Sequence, residues 1–167
     1  MSSISATDLD TLTDSVARLM LTKKYRLATA ESCTGGWLSK AITDLAGSSG
    51  WFECALVTYS NRAKHKLLGV DMTTLDQFGA VSEATVKAMV LGLLERCDAD
   101  IGVSISGIAG PEGGSDDKPV GTVWIAWART GELIEAIKFQ FEGNRESIRL
   151  QAVYEALVGV KRLIDNE

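Results

Sequence analysis

Histidine occurs once in these 167 residues, at His65. A cysteine or serine nucleophile that relies on an imidazole base therefore has a single candidate partner. The three cysteines, Cys33, Cys54 and Cys97, fall in three different segments with neither CxxC nor Cys/His ligand spacing. Neither a disulfide framework nor a zinc site is expected from them. No apolar run approaches the roughly 18 to 20 residues that span a bilayer, and the polar, acidic start "MSSISATDLD" lacks the regions of a signal peptide. A cytoplasmic protein without a membrane partner is expected. Basic blocks are missing too: 17 Lys and Arg against 22 Asp and Glu give a net charge of −5. Nucleic acid is therefore a poor partner. No repeat, linker or low-complexity tract interrupts the chain.

What is present suits one globular domain over 1–167, with 46% hydrophobic residues to fill its core. Thr7, with Asp10 three residues on, caps a first helix carrying Leu9, Leu12, Val16, Leu19 and Met20 and ending near Lys24. Arg26 to Ala30 reads as a strand, Gly35 to Leu45 as a helix, Phe52 to Tyr59 as a second strand. A helix capped by Ser60 or Asn61 then runs to Gly69. The stretch after Ser82, with Val86, Met89, Val90, Leu93, Leu94 and Cys97, is helical, and Ile101 to Ile105 is a third strand. Gly121 to Ala128 and Leu133 to Phe141 form an antiparallel hairpin around "RTGE", and Arg145 to Ile164 is a closing amphipathic helix. A helix, three strand-helix units, a hairpin and a last helix suggest an α/β layered domain, its mixed sheet parallel at the centre and flanked by helices.

In open α/β sheets, ligands gather beyond the C-terminal ends of the strands. Three such ends carry "ESCTGG", "TYSNRAK" and "SGIAGPEGG", the segments richest in small and reactive residues. Within the first, Ser32 or Thr34 suits a helix cap as well as chemistry, and Cys33 suits a small buried core residue. A serine nucleophile also needs a base, and Lys64, behind Tyr59 at a neighbouring strand end, is well placed. A lysine base must be neutral, and bringing its pKa from about 10.4 to about 7 costs roughly 4 to 5 kcal/mol, which burial or neighbouring positive charge must supply. The Tyr59 hydroxyl could orient or relay the proton between Ser32 and Lys64. Glu31 is a second base candidate, though its position favours an interaction with the helix start.

The long loop from Ser106 to Gly121 lets backbone N–H groups at Gly107, Gly110, Gly113 and Gly114 approach a ligand, without matching a known phosphate-loop spacing. Arg145 and Arg149 open the last helix, where a cation opposes the dipole unless an anion sits there.

The blocks "AESCTGG", "SSGWFECALVTYSNRAK", "GAVSE", "SISGIAGPEGGSDDKPVGTVW" and "FEGNRESIRLQA" resemble the CinA C-terminal domain family in its stand-alone form, the nicotinamide-nucleotide amidases. The resemblance runs from about Thr29 to Ala152. It implies hydrolysis of the carboxamide of nicotinamide mononucleotide (NMN) to nicotinate mononucleotide and ammonia, without cofactor or metal. It places the nucleophile at Ser32, with Tyr59 and Lys64 beside it, and the ribose and phosphate on Ser106, Gly107, Ala109, Gly110, Gly113, Gly114 and Arg145, with Arg149 as a second choice. The backbone N–H groups of Thr34, Gly35 and Gly36 are the expected oxyanion donors. A homodimer or higher homo-oligomer is expected. Two other readings stay open: a non-catalytic nucleotide-binding module with the same pocket, and a metal-dependent phosphate-bond hydrolase using Asp116 and Asp117.

Overall fold

The computed structural model describes residues 4–165. Helix α1 (Ala6–Lys23) begins one turn-signal earlier than expected: Ser5, not Thr7, is the cap, and Asp8 closes a capping box by accepting from the Ser5 amide at 2.8 Å. Both Ser5-x-x-Asp8 and Thr7-x-x-Asp10 fit the pattern, so packing of Leu9, Val16 and Met20 decides between them. The chain continues through β1 (Leu27–Glu31), α2 (Trp37–Thr43), a single 3-10 turn (Ser48–Gly50) and β2 (Phe52–Val57). Next come α3 (Asn61–Leu68), α4 (Met72–Phe78), α5 (Glu83–Leu94), β3 (Ile101–Gly107), β4 (Thr122–Arg129), β5 (Glu135–Gln140) and α6 (Arg145–Asp165). Ser60 is the cap of α3.

The strands form one sheet in the order β2-β1-β3-β4-β5. β1 runs parallel to both β2 and β3, while β3–β4 and β4–β5 pair antiparallel. This is the expected mixed sheet with a parallel centre. The third strand, however, leads into no helix: β3 passes through the glycine-rich loop directly into its antiparallel neighbour β4. A short helix, α4, that the sequence reading did not include stands between α3 and α5.

Side-chain size differs between the two sheet faces. Leu27, Ile101, Val103, Ile105, Val123, Ile125 and Trp127 pack against α1, α2 and α6, while Ala28, Ala30, Ala126 and Ala128 face α3 to α5. Small residues there let α5 settle close to the sheet. A Cβ at Gly102 would lie 3.0 Å from Leu94 and Val90. All five residues of β1 are buried, as expected for a central parallel strand covered on both faces.

The cysteines require a correction. Cys54 on β2 and Cys97 after α5 form a disulfide, 43 residues apart in sequence, and only Cys33 stays free. Spacing gave no hint of it, because the pair meets only when the end of α5 returns beside the edge strand.

Candidate active site

β2 and β3 leave β1 on opposite sides, so the C-terminal end of β1 is the point where the strand order divides, the place where such sheets hold ligands. The backbone there is tied to both neighbours. The Ser32 amide donates to Ile105 O on β3 at 3.0 Å, and the Thr58 amide donates to Glu31 O at 2.8 Å. Between β1 and α2 the chain makes a tight turn, with Gly35 at φ 63° and Gly36 at φ 97°. Those left-handed conformations start α2 at Trp37 rather than at Gly35, and they explain why two glycines stand in sequence.

The Glu31 side chain is fully buried and accepts from the Thr34 hydroxyl (2.7 Å), the amides of Gly36 (3.1 Å), Leu38 (3.1 Å) and Ser39 (2.9 Å), and the Ser39 hydroxyl. It is a structural carboxylate holding the start of α2, as its position suggested, and has no free lone pair aimed at Ser32. The neighbouring Cys33 thiol is buried, and burial pushes its pKa up to about 11, so it stays protonated. His65 turns away, its Nδ1 lying 2.8 Å from Val70 O.

Lys64, one turn into α3, is 1% exposed, and its Nζ donates to Ser32 Oγ at 2.9 Å. Its other partners are carbonyl oxygens, Thr58 O at 2.8 Å and Tyr59 O at 3.3 Å. No carboxylate forms an ion pair with it among the described residues. Burial therefore lowers its pKa from the usual 10.5 to about 8, against a smaller opposing influence from Cys33. Desolvation thus supplies most of the required shift. A neutral amine has two N–H bonds, which the two carbonyls can take, leaving a lone pair directed at the Ser32 hydroxyl.

Ser32, Tyr59, Lys64, Ser106, Gly107, Ala109, Gly113 and Arg145 all line one cavity of about 250 Å³. Ala80, Val81, Ile108, Glu112 and Cys33 complete its wall. The first two lie in "GAVSE", a block singled out without a role, and the Ser106 hydroxyl donates to Ala80 O at 2.7 Å, drawing that segment to β3. Gly107 must lack a side chain, since a Cβ would sit 2.9 Å from Thr122 O. Arg145 spans the rim, donating to Gly110 O at 2.7 Å and to the Tyr59 hydroxyl at 3.2 Å.

Other expected site residues stand elsewhere. Gly110 and Gly114 do not line the cavity; Gly110 meets the site through its carbonyl on Arg145. Thr34, Gly35 and Gly36 do not line the cavity, and two of their amides are already engaged: Gly35 N donates to Ser32 O (3.0 Å) and Gly36 N to Glu31. The Gly35 and Gly36 amides cannot serve as oxyanion donors in this conformation. Arg149 sits one turn deeper in α6 than Arg145 and holds Cys33 O and Thr34 O, at 3.1 and 2.8 Å, with its guanidinium over Trp37. It does not reach the cavity as a phosphate ligand. Tyr59 contributes its backbone carbonyl to Lys64, while its hydroxyl lies with Arg145 and not between Ser32 and Lys64. Among the described residues no cluster of three or more His, Cys, Asp or Glu side chains is arranged to hold a metal ion, and no helix is long and apolar enough to cross a membrane.

Comparison with known proteins places this geometry among relatives. The model of the CinA C-terminal domain family matches residues 9–164. The nicotinamide-nucleotide amidohydrolase PncC of Enterobacter agglomerans is 50% identical over 95% of this chain and 97% of its own length. The protein of the same name from Escherichia coli K12 is 52% identical over 90% of this chain and 91% of its own. A solved structure of the competence/damage inducible protein CihA from Agrobacterium tumefaciens superposes with a TM-score of 0.93 at 38% identity, covering 98% of this chain and 99% of that one. A CinA-superfamily protein from Klebsiella pneumoniae gives 0.91 at 42% identity, over 95% and 99%.

Proposed function

The chain belongs to the CinA C-terminal domain family, and from that premise we propose that it hydrolyses the carboxamide of NMN to nicotinate mononucleotide and ammonia. The relatives' name supplies the reaction, and one observation in this chain carries it: a buried lysine with a lowered pKa, 2.9 Å from a serine hydroxyl at the head of the cavity.

Neutral Lys64 takes the proton of Ser32 as its oxygen bonds to the carboxamide carbon. The resulting ammonium of Lys64 then returns a proton to the departing nitrogen, which leaves as ammonia, and an acyl-enzyme ester remains on Ser32. Water attacks that ester as Lys64 accepts its proton; the ammonium then protonates the departing Ser32 oxygen, and nicotinate mononucleotide leaves with Ser32 and neutral Lys64 restored. Arg145, permanently charged and forked, is the cation at the cavity rim suited to the phosphate. The apolar wall from Ala80, Val81, Ile108 and Ala109 is matched to the flat pyridine ring.

The test is ammonia and nicotinate mononucleotide production from NMN by purified protein, with and without EDTA. Wild-type protein is expected to form both equally in either condition, and Ser32→Ala to lose at least about 10³-fold while still binding NMN. Binding without product from the wild type would favour the non-catalytic module instead, and loss of activity in EDTA the metal-dependent hydrolase.

A further inference from the structure

Glu31 and Arg149 grip the same short turn through opposite chemistry. Glu31 receives N–H and O–H groups of residues 34 to 39, whereas Arg149 donates to the carbonyls of Cys33 and Thr34. The peptide groups of the turn can be followed one at a time. Ser32 N–H goes to Ile105 O, Gly35 N–H to Ser32 O, Gly36 N–H to Glu31, and Trp37 N–H to Thr34 O. Two amides are left, those of Cys33 and Thr34, which donate to no other residue among the described ones; the Cys33 amide meets only its own thiol.

In a trans peptide the C=O and N–H point in opposite directions. The bond from Gly35 N to Ser32 O therefore turns the Cys33 N–H out of the turn, and the bond from Arg149 Nε to Cys33 O turns the Thr34 N–H away from the guanidinium. Cys33 lines the cavity and directly follows the nucleophile. A donor that no other residue takes up, beside a serine whose attack creates an oxyanion, is what the reaction requires.

We propose that Arg149 is a positioning residue for the reaction at Ser32: by holding the Cys33 and Thr34 carbonyls it fixes the turn after the nucleophile, so that the Cys33 amide, at the cavity, faces the carboxamide oxygen. It touches no substrate atom. This rests on the amidase reading above, and it separates Arg149 from Arg145, which reaches the cavity itself.

The experiment compares wild type with Arg149→Met, which keeps the side-chain stem, and Arg149→Lys, which keeps the charge. It reads kcat and KM for NMN, the melting temperature, and the rate at which phenylmethanesulfonyl fluoride modifies Ser32. In that last reaction the serine oxygen bonds to sulfur, fluoride leaves, and Lys64 takes the proton. Both variants are expected to lose about 10- to 100-fold in kcat and in sulfonylation rate, with KM within about twofold, as small displacements of reacting groups do. Lysine gives no rescue, because one ammonium lacks the planar fork that spans two carbonyls; it also decides the matter if Arg149→Met does not fold. A rise in KM with kcat retained would overturn the proposal and make Arg149 a substrate ligand, and unchanged kinetics would overturn it outright. A wild type that releases no ammonia refutes the amidase reading, and the sulfonylation rates still test the role of Arg149. A wild type inert in both assays overturns both.

Discussion

In the proposed mechanism, the reaction at Ser32 depends on where one proton resides. Lys64 sits among a hydroxyl and two carbonyls with no carboxylate to hold its charge, and burial has already brought its pKa to about 8. Near neutral pH a modest fraction is therefore uncharged, enough to act as a base. Tyr59 is not needed to bridge the pair. Its hydroxyl partners Arg145 and the residue is 61% exposed at the rim. Tyr59→Phe is accordingly expected to raise KM for NMN several-fold and to lower kcat by less than about tenfold, in steady-state kinetics at saturating and limiting substrate. A loss of kcat with unchanged KM would return the hydroxyl to the proton path. Ser32 and Lys64 were legible in the sequence because each follows a strand end, where α/β sheets place their chemistry. Arg149 was misread as an anion ligand: an arginine near a helix start looks the same in sequence whether it faces solute or backbone.

The orientation of Lys64 depends on how its helix is held. α3 lies against α5 at Gly92, where an added Cβ would come within 1.7 Å of Leu68 O and 2.7 Å of Leu68 C. Backbone cannot yield as a side chain does, so Gly92→Ala must push the two helices apart. It is expected to destabilise the protein by about 1 to 3 kcal/mol and to lower kcat by moving Lys64 away from Ser32. Thermal melting and kinetics check it together, and an unchanged melting temperature would contradict the packing described. This contact was not legible, since one glycine in an apolar helix does not name its neighbour. α4 escaped for a related reason: its seven residues bury only Leu75, too little for a helical period. The long helices α1, α5 and α6 and the hairpin strands were legible because their periodicities extend over several turns or pairs.

At the scale of the whole molecule, two cores of different grain cover the sheet, large side chains beneath α1, α2 and α6 and small ones beneath α5. The layered class and the parallel centre followed from the order of elements. The Cys54–Cys97 bond did not, because it joins elements that only the finished fold brings together. It closes a loop of 43 residues, for which chain entropy gives about 4 kcal/mol. Replacing both cysteines with alanine is expected to lower the melting temperature by about 5 to 15 °C while leaving the Ser32–Lys64 pair intact. Identical melting of the variant and the oxidised protein would contradict the bond.

The central claim, that neutral Lys64 takes the proton of Ser32, is tested most directly by kcat/KM for NMN as a function of pH, measured from about 6 to about 10. Because the lysine is active only when deprotonated, kcat/KM should rise tenfold per unit at low pH and level off above a midpoint of about 8. A profile that stays flat across that range, or falls as the lysine loses its proton, would contradict the mechanism.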